Sequence, residues 1–169
     1  MRSLILLAMH GAPPLDYPKQ ELAEFLGLRA RIAHAFGAEP AALVHRYQEL
    51  EERIRRWPRS ARNDPFFAGS QELAVQLRRA SGRKVILGFN EFCSPSLDEA
   101  LDQAAGQGAE KIIVVTPMMT RGGEHSEQDI PEALDRARKR HPHEKIIYVW
   151  PFRAQNIAEF LNSQILKHI

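Results

Sequence analysis

Ser3-Leu4-Ile5-Leu6-Leu7-Ala8-Met9 is an almost unbroken apolar run of strand length, followed directly by His10 and Gly11. A strand with one wet face alternates polar and apolar residues. A run without alternation is the pattern of a strand covered on both faces, as inside a parallel sheet. Lys84–Phe89 (KVILGF), Lys111–Thr116 (KIIVVT) and Lys145–Val149 (KIIYV) repeat it. The intervening segments carry helix punctuation. Asp64 with Pro65 predicts a capped helix running past Leu73 and Leu77 to Gly82. Ser94 and Pro95 predict a second, with Asp98 and Glu99 in its first turn and Gly106 near its exit. A third should start around Asp129–Pro131 and gather Arg136, Arg138, Lys139 and Arg140 at its negative end. A fourth runs from about Gln155 to the C-terminus. Strands alternating with helices give a parallel sheet with right-handed crossovers. The expected fold is α/β, a four-stranded parallel sheet flanked by helices.

One interval breaks this rhythm. About seventy residues separate the first two strands, roughly twice what one crossover needs. Pro18–Phe36 and Pro40–Trp57 both read as amphipathic helices divided by Gly37 and Pro40. Leu22, Phe25, Leu26, Ile32 and Phe36 supply the apolar spacing of the first, and Leu43, Tyr47, Leu50 and Ile54 that of the second. Residues 15–62 are therefore expected to be a helical hairpin inserted into a single domain spanning 1–169, too small to hold its own core. At 44% hydrophobic and 26% charged, with a formal charge of +2, the 169-residue chain is too balanced to argue for nucleic acid. Its apolar runs are too short for a bilayer span. The lone Cys93 fits a reducing compartment, so a cytoplasmic location is expected.

In an open parallel sheet, ligands bind beyond the carboxyl ends of the strands. His10 follows the first strand, Glu91 lies two residues past the second, and His125 sits in the glycine-containing loop after the third. Three groups able to bind metal or move protons thus reach one edge from three strands. Two imidazoles and a carboxylate suit a divalent first-row metal and leave coordination positions open. His34, His45, His141, His143 and His168 are expected to be solvated. Cys93 would share the Glu91 side of an extended segment, although a free cysteine is commonly a small buried hydrophobe. Met118 and Met119 are expected to pack in the core or line the cleft wall.

The same residues carry a family resemblance. Met9-His10-Gly11-Ala12 resembles the first-strand signature of the sirohydrochlorin cobaltochelatase family. Gly88-Phe89-Asn90-Glu91-Phe92-Cys93-Ser94-Pro95-Ser96-Leu97 is similar to its second motif, a glutamate ahead of a Pro-Ser-hydrophobic helix start. The stretch from Pro117 through Gly122, Gly123 and His125 to Asp129-Ile130-Pro131 resembles its third. The resemblance implies a class II chelatase half. His10 and His125 would bind metal, Glu91 would be the acidic partner, and all three would be catalytic. It also implies Co²⁺, Ni²⁺ or Fe²⁺ as the inserted ion and sirohydrochlorin or a related tetrapyrrole as its acceptor. Larger relatives fuse two such halves around one cleft, so a homodimer is expected here. The inserted hairpin departs from the short family members, as do His10-Gly-Ala-Pro-Pro14 and Trp150-Pro-Phe-Arg-Ala-Gln155.

Metallating a tetrapyrrole exchanges two pyrrole N–H protons for one divalent cation. The imidazoles, with an unperturbed pKa of about 6.5, and Glu91 are the expected proton acceptors, and no organic cofactor is needed. Among the hairpin arginines a solvated face with Glu51–Arg55 and Glu52–Arg56 pairs is expected, with Arg59, Arg62 and, outside the hairpin, Arg121 as the candidates for gripping substrate carboxylates. Two rival readings are a metal or tetrapyrrole carrier without turnover, and a scaffold whose working part is the hairpin.

Overall fold

The computed structural model describes residues 2–35 and 37–169. Four strands, β1 (Ser3–Met9), β2 (Val85–Phe89), β3 (Lys111–Val115) and β4 (Lys145–Tyr148), form one sheet in the order β2-β1-β3-β4, every neighbouring pair parallel. The unalternating β1 pattern has its cause in this order. Leu4, Leu6 and Ala8 pack on one face with residues of α4 (Leu97–Gly106) and α5 (Ile130–Arg140). Leu7 and Met9 pack on the other, against Phe67 and Leu77 of α3 (Pro65–Ser81). The chain leaves β1 toward β2 on one side and then crosses to β3 on the other, so the strand ends open a crevice beside β1.

Helix α3 starts and stops where the sequence indicates. The Asp64 side chain accepts from Phe67 N at 2.8 Å, and the chain turns off at Gly82 in the left-handed conformation. Helix α4 starts later than Ser94. Its cap is Ser96, whose hydroxyl accepts from Glu99 N while the Glu99 carboxylate accepts from Ser96 N, a reciprocal box that Ser94 and Pro95 cannot offer. Helix α5 has no side-chain cap at Asp129; it continues from a π-helical turn, His125–Asp129.

Between β1 and α3 lie α1 (Lys19–Ala33) and α2 (Ala41–Arg55), packed on each other as the expected hairpin. Tyr17, Phe25, Leu50 and Ile54 are buried there, with Leu22, Leu28 and Tyr47 packed around them. Leu26, expected on the apolar face, is exposed, because Leu28 takes the inward position. Phe36 lies outside the described residues. Helix α6 (Ala154–Ile165) carries no buried residue. No helix among the described residues is long and apolar enough to cross a membrane.

Candidate metal centre

Gly11 explains how the first two strand ends approach one another. A Cβ placed there would lie 1.7 Å from the Glu91 carbonyl oxygen, so only glycine lets the loop after β2 lie across the end of β1. That contact puts Glu91 beside His10. The third group arrives on the π-helical turn after β3, a local widening that recurs at functional sites. Tyr148 of β4 fixes this turn by donating to the Ser126 carbonyl at 2.9 Å.

His10 Nδ1 lies 3.1 Å from Glu91 Oε1, and His125 Nε2 lies 3.5 Å from the same oxygen. The two imidazole centroids are 4.7 Å apart. One ligand atom from each of the three residues falls within 4.8 Å of the others. The sequence therefore named the three groups that the fold brings together. The approach of His10 Nδ1 to Glu91 does not have hydrogen-bond geometry. The nitrogen is buried and without a hydrogen-bond partner among the described residues. A buried ring nitrogen aimed at a carboxylate it does not bond is what a cation between the two would satisfy.

Burial pushes the His10 pKa below the ordinary imidazole value; Glu91 pulls it up, while His125 and Arg29 push it down further. The net direction favours the neutral ring, whose lone pair can bind metal. On the other ring, His125 Nδ1 lies 2.5 Å from Asp129 Oδ2. A carboxylate on the far nitrogen fixes the tautomer and leaves Nε2 facing Glu91, an arrangement usual around metal-binding histidines.

Asp129 has a place at this centre that sequence reasoning missed, since it reads there as part of a helix start. Its spacing of four from His125 was the available signal. Arg29 was missed as well. It reads as one of a solvated set, yet its guanidinium donates to Glu91 Oε2 from 62 positions away in the chain. Arg59 is no substrate clamp: its side chain is 4% exposed and bound to Asp64. Arg121 is exposed and pairs with Glu127. Cys93 does not share the side of Glu91. The left-handed backbone of Phe92 (φ 59°) breaks the extended alternation and turns the thiol into the core with Leu7, Met9 and Phe89. Burial pushes the thiol pKa up, which keeps it protonated. His141 is tied to Asp102 at 2.7 Å rather than simply solvated.

The family described as CbiX matches residues 62–166. The chain belongs to the CbiX family. The matched segment carries Glu91, His125 and Asp129; β1 with His10 and nearly all of the hairpin precede it. Sirohydrochlorin cobaltochelatase of Sulfurisphaera tokodaii is 34% identical over 99 residues, 56% of this chain and 78% of that relative. Sirohydrochlorin cobaltochelatase of Priestia megaterium is 33% identical over 78 residues, 46% of this chain. The chain spans 25% of that relative's length and 34% of the length of sirohydrochlorin cobaltochelatase from Methanopyrus kandleri. A crystal structure of a CbiX protein from Marinobacter aquaeolei VT8, named for cobalamin biosynthesis, shares the fold. Its TM-score is 0.56 at 17% identity, over 98% of this chain and 95% of that one.

Proposed function

We propose that the protein is a chelatase that inserts a divalent metal ion, Co²⁺, Ni²⁺ or Fe²⁺, into sirohydrochlorin or a related tetrapyrrole. The observation that carries this reading is the orphaned, buried His10 Nδ1 aimed at Glu91 beside His125 Nε2. The names of the CbiX relatives supply the substrate class. His10, His125 and Glu91 each offer one atom to the ion, which is substrate here, and leave its remaining positions to water and then to ring nitrogens. His10, 44% exposed at its side chain, marks the open face from which the ring approaches. Phe66 stands edge-on to His10 at 6.2 Å and gives that face apolar surface. As the ion moves to the ring, the two displaced protons pass to Glu91 Oε1 and the freed imidazoles.

A cleft of about 230 Å³ runs beside the centre between the hairpin and helices α4 and α5, bordered by Arg29, Glu91 and Asp129. Sites for drug-sized ligands run from about 300 to 1,000 Å³, so a macrocycle lies against the open face rather than inside this cleft. A second copy facing that surface would supply the other wall, and we propose a homodimer on that ground. We further propose that residues 1–169 act as one domain, with 15–62 as its insertion, in the cytoplasm, where a lone buried thiol stays reduced.

Spectroscopic insertion with sirohydrochlorin and Co²⁺ tests the function. Wild-type protein should accelerate metallation, and Glu91→Gln should slow it by about 10²-fold, the usual worth of a general base. Tight Co²⁺ binding without acceleration would make the protein a carrier and overturn the catalytic reading.

A further inference from the structure

The loop that carries Glu91 is held by arginines of the hairpin. Arg55 donates to the Cys93 carbonyl at 2.9 Å and to the Asn90 carbonyl at 3.1 Å, and Arg59 donates to the Phe92 carbonyl. Phe92 inserts its ring among the hairpin aromatics, 6.0 Å from Phe25. Arg29 engages the Glu91 carboxylate itself, at Oε2, while Oε1 faces the two imidazoles. The two oxygens of one side chain therefore do different work, and the division is made by a residue outside the segment that matches the CbiX family.

We propose that Arg29 is a positioning residue which, by occupying Oε2, restricts Glu91 to one oxygen toward the metal ion and so keeps a coordination position open for transfer. The inference rests on the metal-centre reading above. A carboxylate left to itself can close on a cation with both oxygens. A guanidinium hydrogen-bonded to one of them prevents that, and charge assistance makes the contact strong. The same positive charge opposes an arriving dication, which suits an ion that must leave again.

Co²⁺ titration of the full chain, read by visible absorption and by Kd, tests this in wild type, Arg29→Met and Arg29→Lys. The Arg29 side chain is 40% exposed, so either change should lower the thermal midpoint by no more than a few degrees. Arg29→Met should show the weaker absorption of a higher-coordinate ion. Its Kd should be lower by about tenfold, the order expected for removing a unit charge about 5 Å from a dication in a water-like dielectric. Arg29→Lys, which keeps the charge and a donor, should restore the wild-type spectrum and affinity. An unchanged spectrum in Arg29→Met overturns the inference, and so does weaker binding at unchanged coordination. Absence of Co²⁺ binding by the wild-type protein would instead overturn the metal-centre reading itself, and the role of Arg29 with it.

Discussion

The sheet unit buries Leu6, Ile112, Val114, Ile130 and Leu134 in an apolar layer. The hairpin meets that unit through charge as well as packing. Arg59 binds Asp64 with both side chains nearly inaccessible, and its terminal nitrogens also donate to the Ala12, Ile54 and Phe92 carbonyls. Apolar packing tolerates small rearrangement, whereas a buried ion pair fixes direction and register and fails abruptly if one partner is lost. Glu91 sits where the two regions meet. Its strand belongs to the first and the partners of its loop to the second.

Breaking the ionic junction should have the largest effect. Arg59→Met leaves the Asp64 carboxylate buried and uncompensated, and should cost about 4 kcal/mol of stability in denaturant unfolding. Arg59→Met with Asp64→Asn should recover most of that loss, because asparagine also caps a helix; a double variant no better than the single would show that packing, not charge, holds the junction.

Cutting the apolar layer comes next. Leu134→Ala should cost about 3 kcal/mol, the usual loss for a fully buried leucine, with Co²⁺ affinity unchanged in the folded protein. A large loss of affinity there would mean that the sheet unit and the metal centre are not separable.

Asp129→Asn keeps the size of the group that orients His125 but removes its charge. Co²⁺ affinity should fall by about tenfold, measured calorimetrically, with little change in thermal midpoint.

A surface network between α4 and α5, whose Asp98 and Arg136 also border the cleft, sharpens the contrast at low energy. Burial works to raise the Asp98 pKa, but hydrogen bonds from Arg136 and Arg140 outweigh it and hold the carboxyl below its ordinary value. A depressed carboxyl stabilises the fold above its unfolded pKa, and that contribution disappears as pH falls through the folded one. Asp98→Asn should therefore flatten the acid limb of the stability profile by less than about 1 kcal/mol. His141→Ala removes a histidine–carboxylate pair much like His125–Asp129 in composition. It should change stability by no more than about 0.5 kcal/mol and leave Co²⁺ binding intact.

The sequence by itself determined the sheet and the three groups at its edge. Unalternating apolar runs separated by capped helices admit few arrangements, and in a parallel sheet every strand delivers its next loop to the same side. His10, Glu91 and His125 were legible for that reason, as were the Asp64 cap and the hairpin as a pair of helices. Local chemistry also hid things. The π-helical turn that pairs His125 with Asp129 looks like an ordinary helix start, and the left-handed Phe92 that sends Cys93 inward carries no glycine to announce it. Only the tertiary structure decided which arginine reaches Glu91. Arg29 and Arg31 lie two positions apart in the chain, yet one meets Glu91 and the other pairs with Glu39. The helix turn itself puts Arg29 one turn beyond Phe25 on the same face and Arg31 on the other side. What that face meets is decided by Phe25 packing on Tyr47 and Phe92, contacts between residues far apart in sequence that no local pattern encodes.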